Sequence, residues 1–251
     1  MSTITPTPVY CIEIATTDFE TTRLAVKGGA DRIELCASLS EGGVTPSYGT
    51  IAQCRESFTV SLFPIIRPRS GDFLYSDQEF AIMQQDIRLC KSLQCDGVVI
   101  GLLKADGQID LTRTAALVEL AYPMGVTFHR AFDRCVDPFL ALEQLISVGC
   151  ERILTSGQQL TAPEGAALIA RLQLQAQDRI TIMPGSGVRP DTIAALAKET
   201  GCVEFHSSLR DMQKSQMQFV HPAFANSTES YQLPYIDPQQ VIQLAKALRG
   251  A

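Results

Sequence analysis

The chain of 251 residues is 45% hydrophobic and carries a formal net charge of −6, with a pI near 5.1. This acidic balance argues against a nucleic-acid backbone or an anionic membrane as partner, since both require a basic face. Met1 to Pro8 has neither a basic residue nor an apolar core, and no apolar run approaches the roughly 20 residues that span a bilayer. Neither a secretory signal nor a membrane helix is expected, which leaves the cytoplasm.

In chain order, runs dense in β-branched and apolar residues predict strands at 9–15, 32–36, 61–67, 97–103, 125–131, 152–157, 179–184 and 202–208. Helical patterns fall between them, at 18–28, 46–57, 76–93, 111–122, 137–148, 163–176, 190–199 and 237–249. Pro46, Pro138, Pro163, Pro190 and Pro238 sit at or near first helical turns, and Gly149, Gly201 and Gly250 just beyond helix ends. Strict alternation with short connections reads as βαβ units, and eight of them in about 250 residues predict an α/β protein of the (β/α)8 TIM-type barrel class, one domain over 1–251. A doubly wound open sheet is the runner-up, but no G-x-G-x-x-G follows the first strand.

Two connections are long: Pro68 to Tyr75, and the stretch of about 209–236 after strand eight. A long insertion after a barrel strand is expected to cover the active face or an oligomer contact. Met212, Met217, Phe219, Phe224, Tyr231 and Tyr235 in the second one predict burial. The eight cysteines, at 11, 36, 54, 90, 95, 135, 150 and 202, show no C-x-x-C spacing and are expected to be reduced and mostly buried.

Strand alternation sorts side chains into inward and outward sets. If the apolar faces meet the helices, Glu13, Arg32, Glu34, Cys36, Arg67, Thr127, His129, Glu204 and His206 point into the barrel. So many charges are costly unless each is paired or bound to something. One outcome is a self-satisfied ion network of Arg32 and Arg67 against Glu13, Glu34 and Glu204. The other is a site at the C-terminal mouth, where barrel chemistry sits. There His129 and His206 suit a general acid/base pair or nitrogen ligands, and Glu13 and Glu34 supply a second base or oxygen ligands for a divalent metal. Asp133 joins them as a catalytic candidate from the loop side. Arg67, Arg69 and Arg130 suit a carboxylate or phosphate, with Gly185, Gly187 and Ser207 after strands seven and eight, where barrel phosphate sites recur.

Several blocks resemble the CutC family, named for copper homeostasis: Gly28-Gly-Ala-Asp-Arg-Ile-Glu-Leu-Cys36, Glu41-Gly-Gly with Thr45-Pro-Ser47, Ile66-Arg-Pro-Arg69 with Gly71-Asp-Phe-Leu-Tyr75, Thr127-Phe-His-Arg-Ala-Phe-Asp133, Arg152-Ile-Leu-Thr-Ser-Gly157 and Glu204-Phe-His206. The resemblance runs from strand one to strand eight. It implies a cytoplasmic (β/α)8 barrel, a homo-oligomer (dimer or tetramer), and a role in copper homeostasis or copper binding. The thiols of the family's Cu(I) site correspond to Cys36 and to a position two residues after Glu13, which here is Ala15. Cu(I) prefers two soft sulfur ligands, and Cys11, four residues from Ala15, is a poor substitute. Two readings therefore compete: a copper-homeostasis protein with Cys36 as its metal ligand, and a barrel enzyme acting on a small anionic or phosphorylated metabolite. A pure interaction scaffold accounts for neither the arginines nor the histidines.

Overall fold

The computed structural model describes residues 9–224 and 231–250. Its eight parallel strands match the predicted runs, β1 alone passing the end of its run by one residue: β1 (Cys11–Thr16), β2 (Arg32–Leu35), β3 (Ser61–Pro64), β4 (Gly97–Ile100), β5 (Gly125–Phe128), β6 (Arg152–Thr155), β7 (Thr181–Pro184) and β8 (Glu204–Ser207). Strands β3-β2-β1-β8 form one parallel ladder and β4-β5-β6-β7 another. The terminal strands pair directly, Cys11 with Glu204 and Glu13 with His206, as a barrel requires. The two ladders meet at β3 and β4 through an isolated parallel bridge between Ile65 and Val99. Among the described residues no ladder joins β7 to β8, so the hydrogen-bonded ring is interrupted there.

The helices are α1 (Phe19–Lys27), α2 (Tyr48–Ser57), α3 (Asp77–Ser92), α4 (Leu111–Ala121), α5 (Pro138–Ser147), α6 (Ala166–Ala176), α7 (Ile193–Thr200) and α8 (Pro238–Arg249). Local chemistry sets their starts. Asp18 and Ser76 close capping boxes with Thr21 and Glu79, and Asp137-Pro138 and Asp237-Pro238 put an acceptor at the N-cap and proline at the first turn. α6 and α7 begin three residues later than predicted, so Pro163 and Pro190 belong to the preceding turns. Gly28 lets α1 meet α8: a Cβ there would lie 2.5 Å from Val241 Cβ.

Alternation divides the strands as expected. Ile12, Ile14, Ile33, Leu35, Phe128 and Phe205 face the helices within one large apolar core, each such burial contributing about 1.5–3 kcal/mol. The lumen holds a small second cluster, Cys36, Phe63, Ile65 and Val99, beside the charged side chains. All eight cysteines are free thiols, seven buried and Cys11 half-buried. No helix among the described residues is long and apolar enough to cross a membrane.

The long segment after β8 corrects the sequence reading. It is largely an antiparallel hairpin, β9 (Arg210–Lys214) with β10 (Gln232–Ile236), rather than an irregular loop; residues 225–230 lie outside the described residues. Met217 and Phe219 are 63% and 67% exposed, and Met212 and Phe224 are also exposed. Among its described residues Leu209 and Ile236, at the two ends, are buried and Tyr235 packs on the core, so the expected burial fails where the arm leaves the barrel.

Candidate active site

An ion network braces the lumen. Arg32 donates through Nε to Glu13 (2.5 Å) and through Nη2 to Glu204 (2.6 Å). Arg152 also donates to Glu204 (2.6 Å), and both guanidiniums lie over the Phe63 ring. The predicted network thus exists in part, with Arg152 where Arg67 was expected and with Glu34 facing His206 rather than an arginine. Arg152 shares its parity on β6 with inward-facing Leu154, so the same alternation rule would have found it.

Glu13 connects this network to the mouth. Its other oxygen lies 2.7 Å from His206 Nδ1, and Nε2 of the same ring lies 3.7 Å from Glu34. One imidazole therefore stands between two buried carboxylates. Burial opposes ionisation of Glu13, but Arg32 and His206 overcome it and hold its carboxyl at about 2. Burial dominates at Glu34 and, with Glu13 nearby, pushes it up to about 7 despite His206 and Arg32. His206 is itself pulled up: burial disfavours its cation, yet Glu34 and Glu13 outweigh that. Carboxylates driven apart in this way divide acid and base roles.

A cavity of about 350 Å³ opens over this pair. Glu34, Arg67, His129, Arg130, Gly187, His206 and Ser207 line it, all candidates from the sequence. His129 is 4% exposed; its Nδ1 accepts from the Ala131 amide (3.1 Å), so Nε2 carries the ring proton, and that buried atom has no partner. Burial and the Arg67 charge push its pKa down to about 3, keeping it a neutral donor rather than a base. Two glycines make room for the histidines. A Cβ on Gly101 would lie 2.2 Å from His129 Cε1, and one on Gly185 would lie 2.4 Å from Leu154 Cδ1 and 3.3 Å from His206 Cβ.

The remaining candidates do other work. Gly185 packs beneath His206 and does not line the cavity. Asp133 is spent on structure: it accepts from Thr155 Oγ1, from the Ser156 amide and hydroxyl, from the Gln158 amide and from Arg130 Nε. It positions Arg130, which also donates to Ser156 Oγ (2.6 Å). Arg69 binds Glu79 and Asp72 and covers Tyr75, bracing its own loop away from the cavity. Ser207 Oγ donates to the Val188 carbonyl (2.7 Å), tying β8 to the turn after β7. Arg67 donates to the carbonyls of Glu41, Gly43 and Gly71 and stacks on Phe73. Ser186 and Ser208, which belong to the Gly185-Ser-Gly187 and Ser207-Ser208 stretches after strands seven and eight, also line the cavity, whereas sequence reasoning missed Arg189 and Arg210. Their positions after β7 and β8 were the available signal.

Cys36 lies below the mouth, fully buried, its thiol donating to the Thr16 carbonyl (3.3 Å). Burial pushes its pKa far up, with Glu34 adding to the shift. Ala15 faces the lumen nearby and offers no sulfur, so the donor set does not fit a two-thiolate Cu(I) site. Among the described residues no three His, Cys, Asp or Glu side chains are grouped to hold a metal ion.

Fold and site define a (β/α)8 barrel with a buried histidine between two carboxylates under an arginine-lined mouth. The chain matches the CutC family over residues 10–211 and belongs to that family. A family protein CutC of Chromobacterium violaceum is 51% identical over 230 residues, covering 90% of this chain and 93% of its own. One from Bacteroides thetaiotaomicron is 45% identical over 246 residues, covering 96% and 99%. The crystal structure of a CutC from Streptococcus agalactiae, described there as a copper homeostasis protein, is 33% identical with a TM-score of 0.75, covering 80% of this chain and 99% of that one. Phosphoribosylanthranilate isomerase from Thermotoga maritima shares the fold at TM-score 0.59 and 13% identity, covering 97% and 100%.

Proposed function

We propose that this CutC-family barrel is a cytoplasmic enzyme catalysing a redox-neutral proton transfer on a small anionic metabolite, with His206 and Glu34 as the acid–base pair. The observation that carries the reading is His206 bracketed by Glu13 and Glu34. Glu13 accepts from Nδ1 and fixes the ring, while Nε2 is aimed at a carboxyl whose pKa of about 7 lets it give or take a proton at neutral pH. Purely structural ion pairs would gain nothing from a carboxyl half-protonated at pH 7. Nearby cationic and N–H donors would hold the substrate and stabilise negative charge as the proton leaves.

The test is a panel of phosphorylated and carboxylated metabolites incubated in D2O and followed by NMR for turnover or deuterium incorporation. One compound should exchange or convert with the wild type and not with His206→Gln, at an unchanged melting temperature. No activity in either protein, with Glu34 titrating below pH 5, would overturn the reading.

The copper-homeostasis description of the S. agalactiae relative motivates a second reading, in which this chain takes part in copper handling. Cys36 with Ala15 does not supply the ligands such a role would need at that position, so no step is routed through copper.

A further inference from the structure

The cavity carries more positive charge than the proposed proton transfer needs. Four arginines line it, Arg67, Arg130, Arg189 and Arg210, against one carboxylate, Glu34, in a chain of net charge −6. Only Arg130 has a carboxylate partner. Among the described residues Arg67 is neutralised by no acid, Arg189 makes no side-chain hydrogen bond or ion pair, and Arg210 reaches only the Leu39 carbonyl at 3.4 Å. A buried cation with no acid beside it, as Arg67 is, is costly unless a ligand neutralises it, and the exposed guanidiniums around it add to the positive potential over the cavity.

These groups fall at two poles. β3 and β7 are four strands apart in a ring of eight, so their loops face each other across the mouth. At one pole, Arg67 after β3 stands near His129 after β5, whose buried Nε2–H is unpartnered. At the other, Arg189 directly follows the turn Ser186-Gly187-Val188, and Arg210, after the neighbouring strand β8, lines the same cavity. Ser186 and Gly187 both have left-handed φ, 75° and 73°, and the amides of all three residues donate to no protein acceptor among the described residues. Successive free amides in such a turn form an anion-binding concavity. His206, on β8, and Glu34, on β2, lie on the arc between the poles.

We infer that the cavity takes a small metabolite with two anionic ends, a phosphate at the β7 and β8 loops and a carboxylate at Arg67 and His129. The placement of its reacting atom above His206 rests on the proposed function; the charge distribution does not. The two ends differ in chemistry. Free amides with two exposed guanidiniums match three phosphate oxygens, whereas a neutral N–H beside one buried cation matches a planar carboxylate.

The experiment is isothermal titration calorimetry at constant ionic strength with three probes: glycerate, glycerol 3-phosphate and 3-phosphoglycerate, which bear the carboxylate alone, the phosphate alone and both. 3-Phosphoglycerate should bind at least about tenfold more tightly than either of the others, the worth of one further charge-assisted anion contact. Arg189 and Arg210 are exposed, so the double variant R189M/R210M should fold normally. It should weaken both phosphate esters by about tenfold or more and leave glycerate unchanged. Equal affinity for the two esters, equal loss for all three probes, or no binding at millimolar concentration would each overturn the inference. Because binding is read at equilibrium, a protein that discriminates the probes as expected but supports no His206-dependent exchange keeps this inference and loses the proton-transfer reading.

Discussion

Replacing Glu34 by glutamine tests the electrostatic core of the site without changing its shape. In the folded chain the Glu34 carboxyl is raised from 4.5 to about 7. At ~1.4 kcal/mol per unit, the ionised form costs the folded state roughly 3 kcal/mol. The sign follows from proton counting. Between these two values the unfolded carboxyl has lost its proton while the folded one retains it, so stability is greatest below 4.5 and falls as pH rises through 7. His206 acts in the same direction, because its folded pKa is raised and its contribution is lost as pH rises through that value. Wild type should therefore lose stability between pH 5 and pH 8, and Glu34→Gln should lose roughly 3 kcal/mol less, with the curves meeting near pH 4.5. The assay is urea denaturation across that range with m-values compared at each pH. Parallel curves for the two proteins would refute the reasoning, since they would mean that Glu34 ionises in the folded chain as freely as in the unfolded one.

Arg32→Met should destabilise the barrel by about 3–5 kcal/mol in chemical denaturation, because it strands Glu13 and leaves Glu204 with Arg152 alone. Gly185→Ala forces a methyl to 2.4 Å from Leu154 Cδ1; a cost of about 1–3 kcal/mol is expected, with a shifted His206 resonance by NMR. In competition with a strong Cu(I) chelator, the wild type and Cys36→Ala should both lose the metal, whereas Ala15→Cys should retain it. Light scattering should find a homo-oligomer that Met217→Ser with Phe219→Ser disperses, because these exposed apolar side chains on the arm after β9 lack a cover within the described chain.

What the sequence made legible follows from periodicity. Two-residue alternation correctly sent Glu13, Arg32, Glu34, Glu204 and His206 into the lumen, since one face of each strand must meet the helices. Loops have no such period. The partners of Arg67 are carbonyls 4 to 26 residues away, which only the folded loops bring together. Asp133 looked catalytic because it is an acid beside histidine and arginine, and only the three-dimensional arrangement shows its oxygens filled by donors from the turn after β6. Ser207 and Ser208 both line the cavity, but the Ser207 hydroxyl is spent on the Val188 carbonyl, a contact that no strand pattern reveals. The hairpin defeated the hydrophobic rule for another reason: apolarity predicts burial against something, not against the same chain.

The two mouth histidines show how context separates identical side chains. Each ends a strand, each is buried, and each has a glycine at its back, yet their proton chemistry diverges. His129 sees Arg67 and no carboxylate, so burial and a like charge act together and it stays neutral well below physiological pH. His206 sees Glu13 and Glu34, which outweigh the same burial and favour its cation. The difference lies in those two carboxylates, and Arg32 fixes the state of one of them. By pinning Glu13 in its ionised form it secures an acceptor for His206 Nδ1, and the charge on Glu13 in turn discourages Glu34 from ionising. His206 Nε2 and Glu34 then face each other across 3.7 Å at the cavity wall, where a ligand can reach both, while the neutral His129 remains a donor. An arginine on the barrel floor thus bears on the protonation of a carboxyl two residues along the same strand, which is why Arg32→Met should alter the pH dependence of any reaction at the mouth as well as the stability of the fold.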